Sequence, residues 1–378
     1  MKNERMYNEF LELVMTDSVS GQESAIAKKV IDKLKVLGFK VITDNAGETF
    51  GGTCGNVIGI REGELEGSLL LSSHMDRVSN GFGIKPVEKD GILYSDGSTI
   101  LAADDVSGIC AIFEGLRNVL KKNIPLPRLE VVFSVGEETG LYGAHALDIE
   151  KLESKKGYIF DSPGTVGRFL NGAPGCYKLM AQIHGQSAHA GNEPEAGIDA
   201  AKTMCDILST LKQGRLDPIS TSNFPILYTG NKSENIVCDY AVFKGECRSR
   251  DAKRLEEYIT YFYGHCQKID DEHGATIEIS KKPAFLPFHV DEDAQILQIA
   301  KKACNQLNIS YRAEIGGGGM DANVYSNRGI CCVGVATGYS KNHTLQEQLI
   351  LEDFFQSGKL AETLIELYAA NCNPKELV

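Results

Sequence analysis

The stretch GSLLLSSHMD, Gly67–Asp76, decides how the chain is read. Leu69, Leu70 and Leu71 form an unbroken apolar run, which suits a strand buried on both faces better than one alternating between core and water. Two serines further on, the run ends in His74, Met75 and Asp76. The same design recurs: RLEVVFSVGEE (128–138) and KGYIFD (156–161) are short apolar runs that end in acids. Between the first two lies VSGICAIFEGLRNVL (106–120), with Ile109, Ile112, Phe113, Leu116 and Leu120 at helical spacing. Strands alternating with helices predict an α/β fold, a mixed, mostly parallel sheet flanked by helices. Upstream, Ser20 and Glu23 are spaced as a capping box before a helix that carries Ile26, Val30, Leu34 and Leu37 on one stripe and ends near Gly38.

Composition bounds the function. A chain of 378 residues that is 42% hydrophobic can bury a large core, and its length suits two domains. The net charge of -12 argues against a broad nucleic-acid surface, which would need clustered Lys and Arg. No run approaches the roughly 20 apolar residues of a membrane span, and MKNERMYNEF lacks a secretory core, so a cytoplasmic protein without a membrane partner is expected. The 11 cysteines include no CxxC pair and read as buried thiols, Cys331 and Cys332 among them, rather than as a disulfide framework.

In an open α/β sheet, ligands gather beyond the carboxyl ends of the strands. Four segments fall at such ends: HMD at 74–76, ADD at 103–105 where a helix starts, GEE at 136–138 and FDSPG from 160. YSKNHTLQE (339–347) adds His343 in a loop. Two histidines with several carboxylates and no cysteine suit Zn²⁺, Co²⁺ or Mn²⁺ better than Ca²⁺, which prefers oxygen alone. His74, Asp104, Glu138, Asp161 and His343 are enough for two ions if one carboxylate bridges them. Asp76 is then free to orient a histidine, and Glu137 to take a proton from water. Any one of these motifs alone reads as a turn cap or a solvated pair of acids. Their recurrence after apolar strands is what points to cations, because buried like charges need a counter-charge.

Taken in order, HxD, ADD before a glycine-containing helix start, GEE, a strand-end Asp and a late His, the chain resembles the M20 metallopeptidases, above all the peptidase T-like aminopeptidases. The resemblance covers nearly its whole length. It implies a zinc-exopeptidase type of sheet with an inserted smaller α+β domain that acts as lid and dimer contact. It further implies one ion at His74 and Asp161, a second at Glu138 and His343, and Asp104 as bridge, with Asp76 as supporting acid and Glu137 as general base. Asp105 is then a neighbour and not a ligand.

The insert is expected at 175–285, between catalytic segments 1–174 and 286–378. CYKLMAQIHGQSAHAG (176–191) and NIVCDYAVFKGECRSRD (235–251) read as strands. IDAAKTMCDILSTL (198–211) reads as a helix with Ile198, Ala201, Cys205 and Leu208 on one face, and RLEEYITYFYGHCQKI (254–269) as another with Leu255, Ile259, Phe262 and Cys266. By the resemblance, His189 would steady an oxyanion and Arg248 would hold a substrate carboxylate. The glycines 316–319 suit a close backbone approach to substrate, so Gly318, Asp321 and Asn323 join the substrate-binding set. His145, His184, His265, His273 and His289 have no comparable neighbours and read as structural.

The expected activity is therefore removal of the N-terminal residue from short peptides, tripeptides above all, by a homodimer holding two divalent ions, zinc first and cobalt or manganese as alternatives. M20 relatives also include carboxypeptidases, dipeptidases and deacylases of N-acyl amino acids, and a shared metal core does not choose among them. A non-catalytic binder would be marked by loss of the base, and Glu137 is present. The M42 aminopeptidases use a similar metal set with a different insert, and the SAHAG segment favours M20.

Overall fold

Leu69, Leu70 and Leu71 are fully buried within the strand Leu65–His74. In the computed structural model, which describes residues 3–372, that strand lies inside a nine-stranded sheet, parallel on one side to Pro127–Ser134 and on the other to Lys156–Ser162. The parallel run continues with Cys331–Ala336 against Lys156–Ser162, while Val57–Arg61 and Lys40–Thr43 extend the other side antiparallel. His74 stands level with Ser134 at the ends of their strands. Parallel strands bring their carboxyl ends to one edge, so the acids and histidine that follow the apolar runs meet there.

The helix Ala103–Lys121 packs on the strands Leu65–His74 and Lys156–Ser162 and against the helix Leu351–Cys372. Two glycines permit that closeness. A Cβ on Gly115 would come 2.6 Å from Ala361 Cβ, and one on Gly108 would come 2.0 Å from the Phe160 carbonyl oxygen. Substitution at Gly108 would therefore push the start of the Asp104 helix off the strand that carries Asp161.

The capping box does not form. The helix is Ser24–Val36, and its Glu23 makes no side-chain cap. The Ser20 and Glu23 side chains instead reach segments far away in sequence, described below. Ile26, Val30 and Leu34 are buried as their spacing predicts, and Leu37 is half-buried.

The chain divides into two units: Met1–Gly172 with His289–Gly316 and Met320–Val378, and Ala173–Phe288 with Gly317–Gly319. The breaks fall after 172 and 288 where the sequence suggested 174 and 285, and three of the four glycines, Gly317–Gly319, leave the first unit. Residues 1–2 and 373–378, counted in the expected catalytic segments, lie outside the described residues. The second unit is a five-stranded antiparallel sheet in the order Gly214–Asp217, Ser220–Thr229, Tyr240–Ser249, Gly175–His184, Thr276–Phe285. Its helices Ala200–Thr210 and Ala252–His273 cover an aromatic core in which Phe224 and Phe262 stack at 5.3 Å. Leu255, Ile259, Phe262 and Cys266 are buried as expected. On the other helix the buried face is Ala200, Thr203, Met204 and Ile207, leaving Cys205 exposed. Asp199 sets that phase by accepting the backbone N–H groups of Ala201 and Lys202. Cys332 is buried, Cys331 is half-buried, and all the cysteines are free thiols. Among the described residues no helix is long and apolar enough to cross a membrane.

Candidate metal centre

Five side chains from separate elements meet at the strand ends of the first unit. His74 closes its strand, Asp161 lies one residue before the end of Lys156–Ser162, and Glu138 follows Pro127–Ser134. Asp104 sits at the mouth of its helix where the backbone is not yet helical, and His343 is in the loop after Tyr339–Ser340. His74 Nε2 lies 3.1 Å from Asp104 Oδ1 and 3.8 Å from Asp161 Oδ1. His343 Nε2 lies 3.3 Å from Asp104 Oδ2 and 2.9 Å from Glu138 Oε2. Two triads result, His74–Asp104–Asp161 and Asp104–Glu138–His343, each with its ligand atoms within 4.8 Å of one another. Asp104 belongs to both and turns one oxygen to each histidine.

The electrostatics of the cluster suit positive charge. Burial and the neighbouring acids Asp104, Asp321 and Glu138 push Asp161 up to about 7 against the pull of His74. Burial and the Asp104 charge also raise Glu138, although His343 opposes them. Burial raises Glu137 well above the usual carboxylate range, with Asp161 and Glu138 adding to it. Asp104 moves the other way, because bonds to His343 and His74 outweigh its burial. Burial alone would lower His74, yet Asp104 and Asp76 raise it, and Asp104 and Glu138 lift His343 to about 10. Packed acids held up by mutual repulsion, with imidazoles as the nearby counter-charge, fit a site for cations. The nitrogen and oxygen donors match divalent ions of the zinc, cobalt or manganese type.

The surrounding bonds fix this geometry. His74 Nδ1 is 3.0 Å from the Asp76 carbonyl oxygen, which can only accept. Nδ1 therefore carries the proton, and Nε2 keeps its lone pair for the triad. The Asp76 carboxylate does more than support His74. Its Oδ1 accepts the N–H of Glu137 at 2.9 Å, and its Oδ2 accepts the N–H of Glu138 at 3.1 Å and the Ser20 hydroxyl at 2.6 Å. Glu23 extends the row, its Oε1 accepting the Gly136 N–H at 3.1 Å. Asp105 turns away, accepting the Ser73 hydroxyl at 2.5 Å and the His74 N–H at 3.2 Å. Glu137 is half-buried and stands outside both triads.

Sequence reasoning passed over Tyr339, Asn342 and Glu347. Tyr339 donates to Asp161 Oδ1 at 3.2 Å and Asn342 to Asp104 Oδ2 at 2.7 Å. Glu347 is buried and accepts the backbone N–H groups of Leu101, Ala102 and Asp104. All three stand in the segment quoted for His343, but only a histidine announces itself there by type.

The remaining candidates separate. Asp321 and Asn323 are buried at the start of the helix Asp321–Asn327, Asp321 accepting the Ser134 hydroxyl at 2.5 Å and Asn323 the Met320 N–H at 3.0 Å. Asp321 thus bonds to the end of the strand Pro127–Ser134, whereas Asn323 closes the entry to its own helix. In the second unit, His189 is exposed in a loop, its Nδ1 accepting the N–H groups of Gly191 and Asn192. Arg248 pairs with Glu246 at 2.7 Å and reaches the Gly317 carbonyl at 3.5 Å. A Cβ on Gly318 would meet no protein atom, whereas one on Gly319 would strike the Phe285 ring at 2.2 Å. His265 and His273 bond to the helix Ala200–Thr210 of their own unit.

A parallel-centred α/β sheet whose strand ends gather two His–carboxylate triads around a shared aspartate fits a metal-dependent hydrolase. Residues 70–367 match Peptidase_M20, and the chain belongs to peptidase family M20/M25/M40, where its similarity extends to peptidase T proteins. It is 35% identical to Uncharacterized protein YqjE of Bacillus subtilis (strain 168), over 97% of this chain and 99% of that one. Among solved structures, the aminopeptidase PepT from Bacillus cereus ATCC 10987 is 35% identical with a TM-score of 0.89, covering 97% of this chain and 98% of its own. A tripeptidase from Staphylococcus aureus subsp. aureus Mu50 is 32% identical with a TM-score of 0.93, covering 98% and 100%.

Proposed function

We propose that this peptidase is a di-metal aminopeptidase that removes the N-terminal residue from short peptides, tripeptides first. The observation that carries the proposal is Asp104 shared between two triads, with Glu137 left outside them. The similarity to a PepT aminopeptidase and a tripeptidase supports the substrate class. In this reading His74, Asp161, Glu138, His343 and Asp104 hold two divalent ions, zinc in preference to cobalt or manganese, which supply polarisation of the scissile carbonyl and a more acidic water. Glu137 takes the proton from the attacking water and returns it to the leaving amine. Its raised proton affinity, caused by burial, suits a group that must hold a proton between those two events. Asp76 keeps His74 in the tautomer a ligand requires and holds the backbone of Glu137 and Glu138. His189 as an oxyanion donor and Arg248 as partner of the substrate carboxylate belong to the proposal through the resemblance.

The proposal includes a homodimer through the second unit. The strand Ser220–Thr229 is paired on its outer side only as far as Ser222. Beyond that it exposes Ile226, Leu227 and Tyr228, an open and apolar edge of the kind another strand covers. A cytoplasmic location is supported by the many free cysteines.

The test is hydrolysis by zinc- or cobalt-loaded protein of a free-amine tripeptide, its N-acetylated form and an N-acyl amino acid. Cleavage of the first alone is expected. Cleavage of the acylated compounds alone would refute the aminopeptidase reading in favour of a deacylase, and no cleavage of any would refute both.

A further inference from the structure

The segment that brings His343 to Asp104 has little to hold it by itself. Lys341 and His343 both adopt left-handed backbone, φ 56° and 62°, which costs a non-glycine residue roughly 1 kcal/mol or more each. His343 is exposed, and its loop is closed locally by the Thr344 hydroxyl on the Lys341 carbonyl and the Glu347 N–H on the Thr344 carbonyl. Its flanks pair as strands, Tyr339–Ser340 with Gln348–Ile350 and the latter with Ile92–Ser95, and within the loop two side chains reach the Asp104 segment: Asn342, which donates to Asp104 Oδ2 at 2.7 Å, and a carboxylate. Glu347 is 1% exposed. Its Oε2 accepts the N–H of Leu101 at 2.9 Å and of Ala102 at 2.8 Å, and its Oε1 accepts the N–H of Asp104 at 3.0 Å. The accepted groups belong to the turn that delivers Asp104, more than 240 residues earlier in the chain.

We propose that Glu347 is a positioning residue for the metal centre. By gathering three backbone N–H groups on two oxygens, it fixes the Asp104 carboxylate and the His343 ring in one frame. The inference rests on the di-metal reading above and deepens it. Of the two triads, Asp104–Glu138–His343 takes two of its three ligands from segments that Glu347 joins. In the other triad, His74 and Asp161 have their own anchors in Asp76 and Tyr339. Loss of Glu347 therefore loosens one site more than the other. The role also requires a carboxylate. Glutamine has one acceptor oxygen, so E347Q must turn an N–H₂ toward at least one of the three backbone donors, whereas E347D keeps both oxygens on a stem one methylene shorter.

The experiment is a Co²⁺ titration of metal-free wild type, E347Q and E347D, followed by calorimetry and by the visible d–d absorption, with circular dichroism to establish folding. Wild type should take up two equivalents. E347Q should bind the first near normally and the second about 10- to 100-fold more weakly, with an altered d–d spectrum, as expected when a group that orients ligands is lost. E347D should fall between them. A folded E347Q that binds both equivalents with wild-type affinity and spectrum overturns the proposal, as does E347D weaker than E347Q, because size and not charge would then be at work. If E347Q does not fold, wild-type second-site affinity in folded E347D overturns it. Failure of wild type to bind two equivalents would instead strike the di-metal reading itself, so the two failures are distinguishable.

Discussion

Replacing Glu23 with glutamine should stabilise the metal-free protein, and by more as the pH rises. Glu23 has no exposed surface; its Oε1 accepts the N–H groups of Gly21 at 2.9 Å and Gly136 at 3.1 Å, while its Oε2 is buried without a partner. Burial raises its pKa to about 7, with the Asp76 charge adding and the Gly21 N–H opposing. Below the unfolded pKa, near the ordinary 4.5 of a glutamate, folded and unfolded chains are both protonated at this position and it contributes no slope. As the pH rises towards the folded pKa, the unfolded chain releases the proton first. Folding then loses about 1.4 kcal/mol per pH unit until the folded group also ionises. The total is about 3 kcal/mol, complete a little above pH 7. Glutamine carries no such slope, and its single carbonyl oxygen can keep both of the N–H bonds that Oε1 now accepts. Urea unfolding of chelator-treated wild type and E23Q, at about pH 5 and about pH 8, isolates the effect because other titrating groups are common to both proteins. A stability difference equal at the two pH values would refute the reasoning.

Glu137→Gln should leave both metals bound, read by elemental analysis, while turnover falls by about 10²- to 10⁴-fold, the usual share of a general base; activity near wild type would remove Glu137 from that role. Asp104→Asn should lose metal as well as rate, because the residue belongs to both triads; full metal content after dialysis would show that Asp104 is not the bridge. Under the proposed dimer, wild type should sediment as a dimer and the doubly substituted I226K/Y228K protein as a monomer, since charges on an open strand edge oppose pairing. An unchanged dimer would place the interface elsewhere.

The sheet was legible because buried parallel strands write themselves as continuous apolar runs, and the cluster of His74, Asp104, Glu138, Asp161 and His343 because histidine and acids recur at the ends of such runs or in the loops beside them. What misled was local spacing. Ser20 and Glu23 have the interval of a capping box, yet their partners are Asp76 and Gly136, 56 and 113 residues away. Sequence distance hides such bonds completely. Next to a glycine run Asp321 and Asn323 read as a binding loop; both are buried, Asp321 accepting the Ser134 hydroxyl from 187 residues away and Asn323 the Met320 N–H of its own turn. The strand Ser220–Thr229 was missed because its first half is Ser, Thr and Asn and a register shift between Asn223 and Ile226 breaks its alternation.

The centre also shows why supporting acids are hard to tell from ligands by type. Asp76, Glu23 and Glu347 are buried carboxylates beside the triads, yet each spends its oxygens on backbone N–H groups of the segments that carry the ligands. How many oxygens are used sorts them. Glu23 bonds through one, so an amide can take its place. Glu347 bonds through both, so an amide must set a donor against a donor. Asp76 also uses both, for Glu137 and Glu138, and receives Ser20 as well, which groups it with Glu347. Three acids of one chemical type thus differ in their tolerance of the same isosteric change, for a reason that lies in the backbone they hold and not in the side chains themselves.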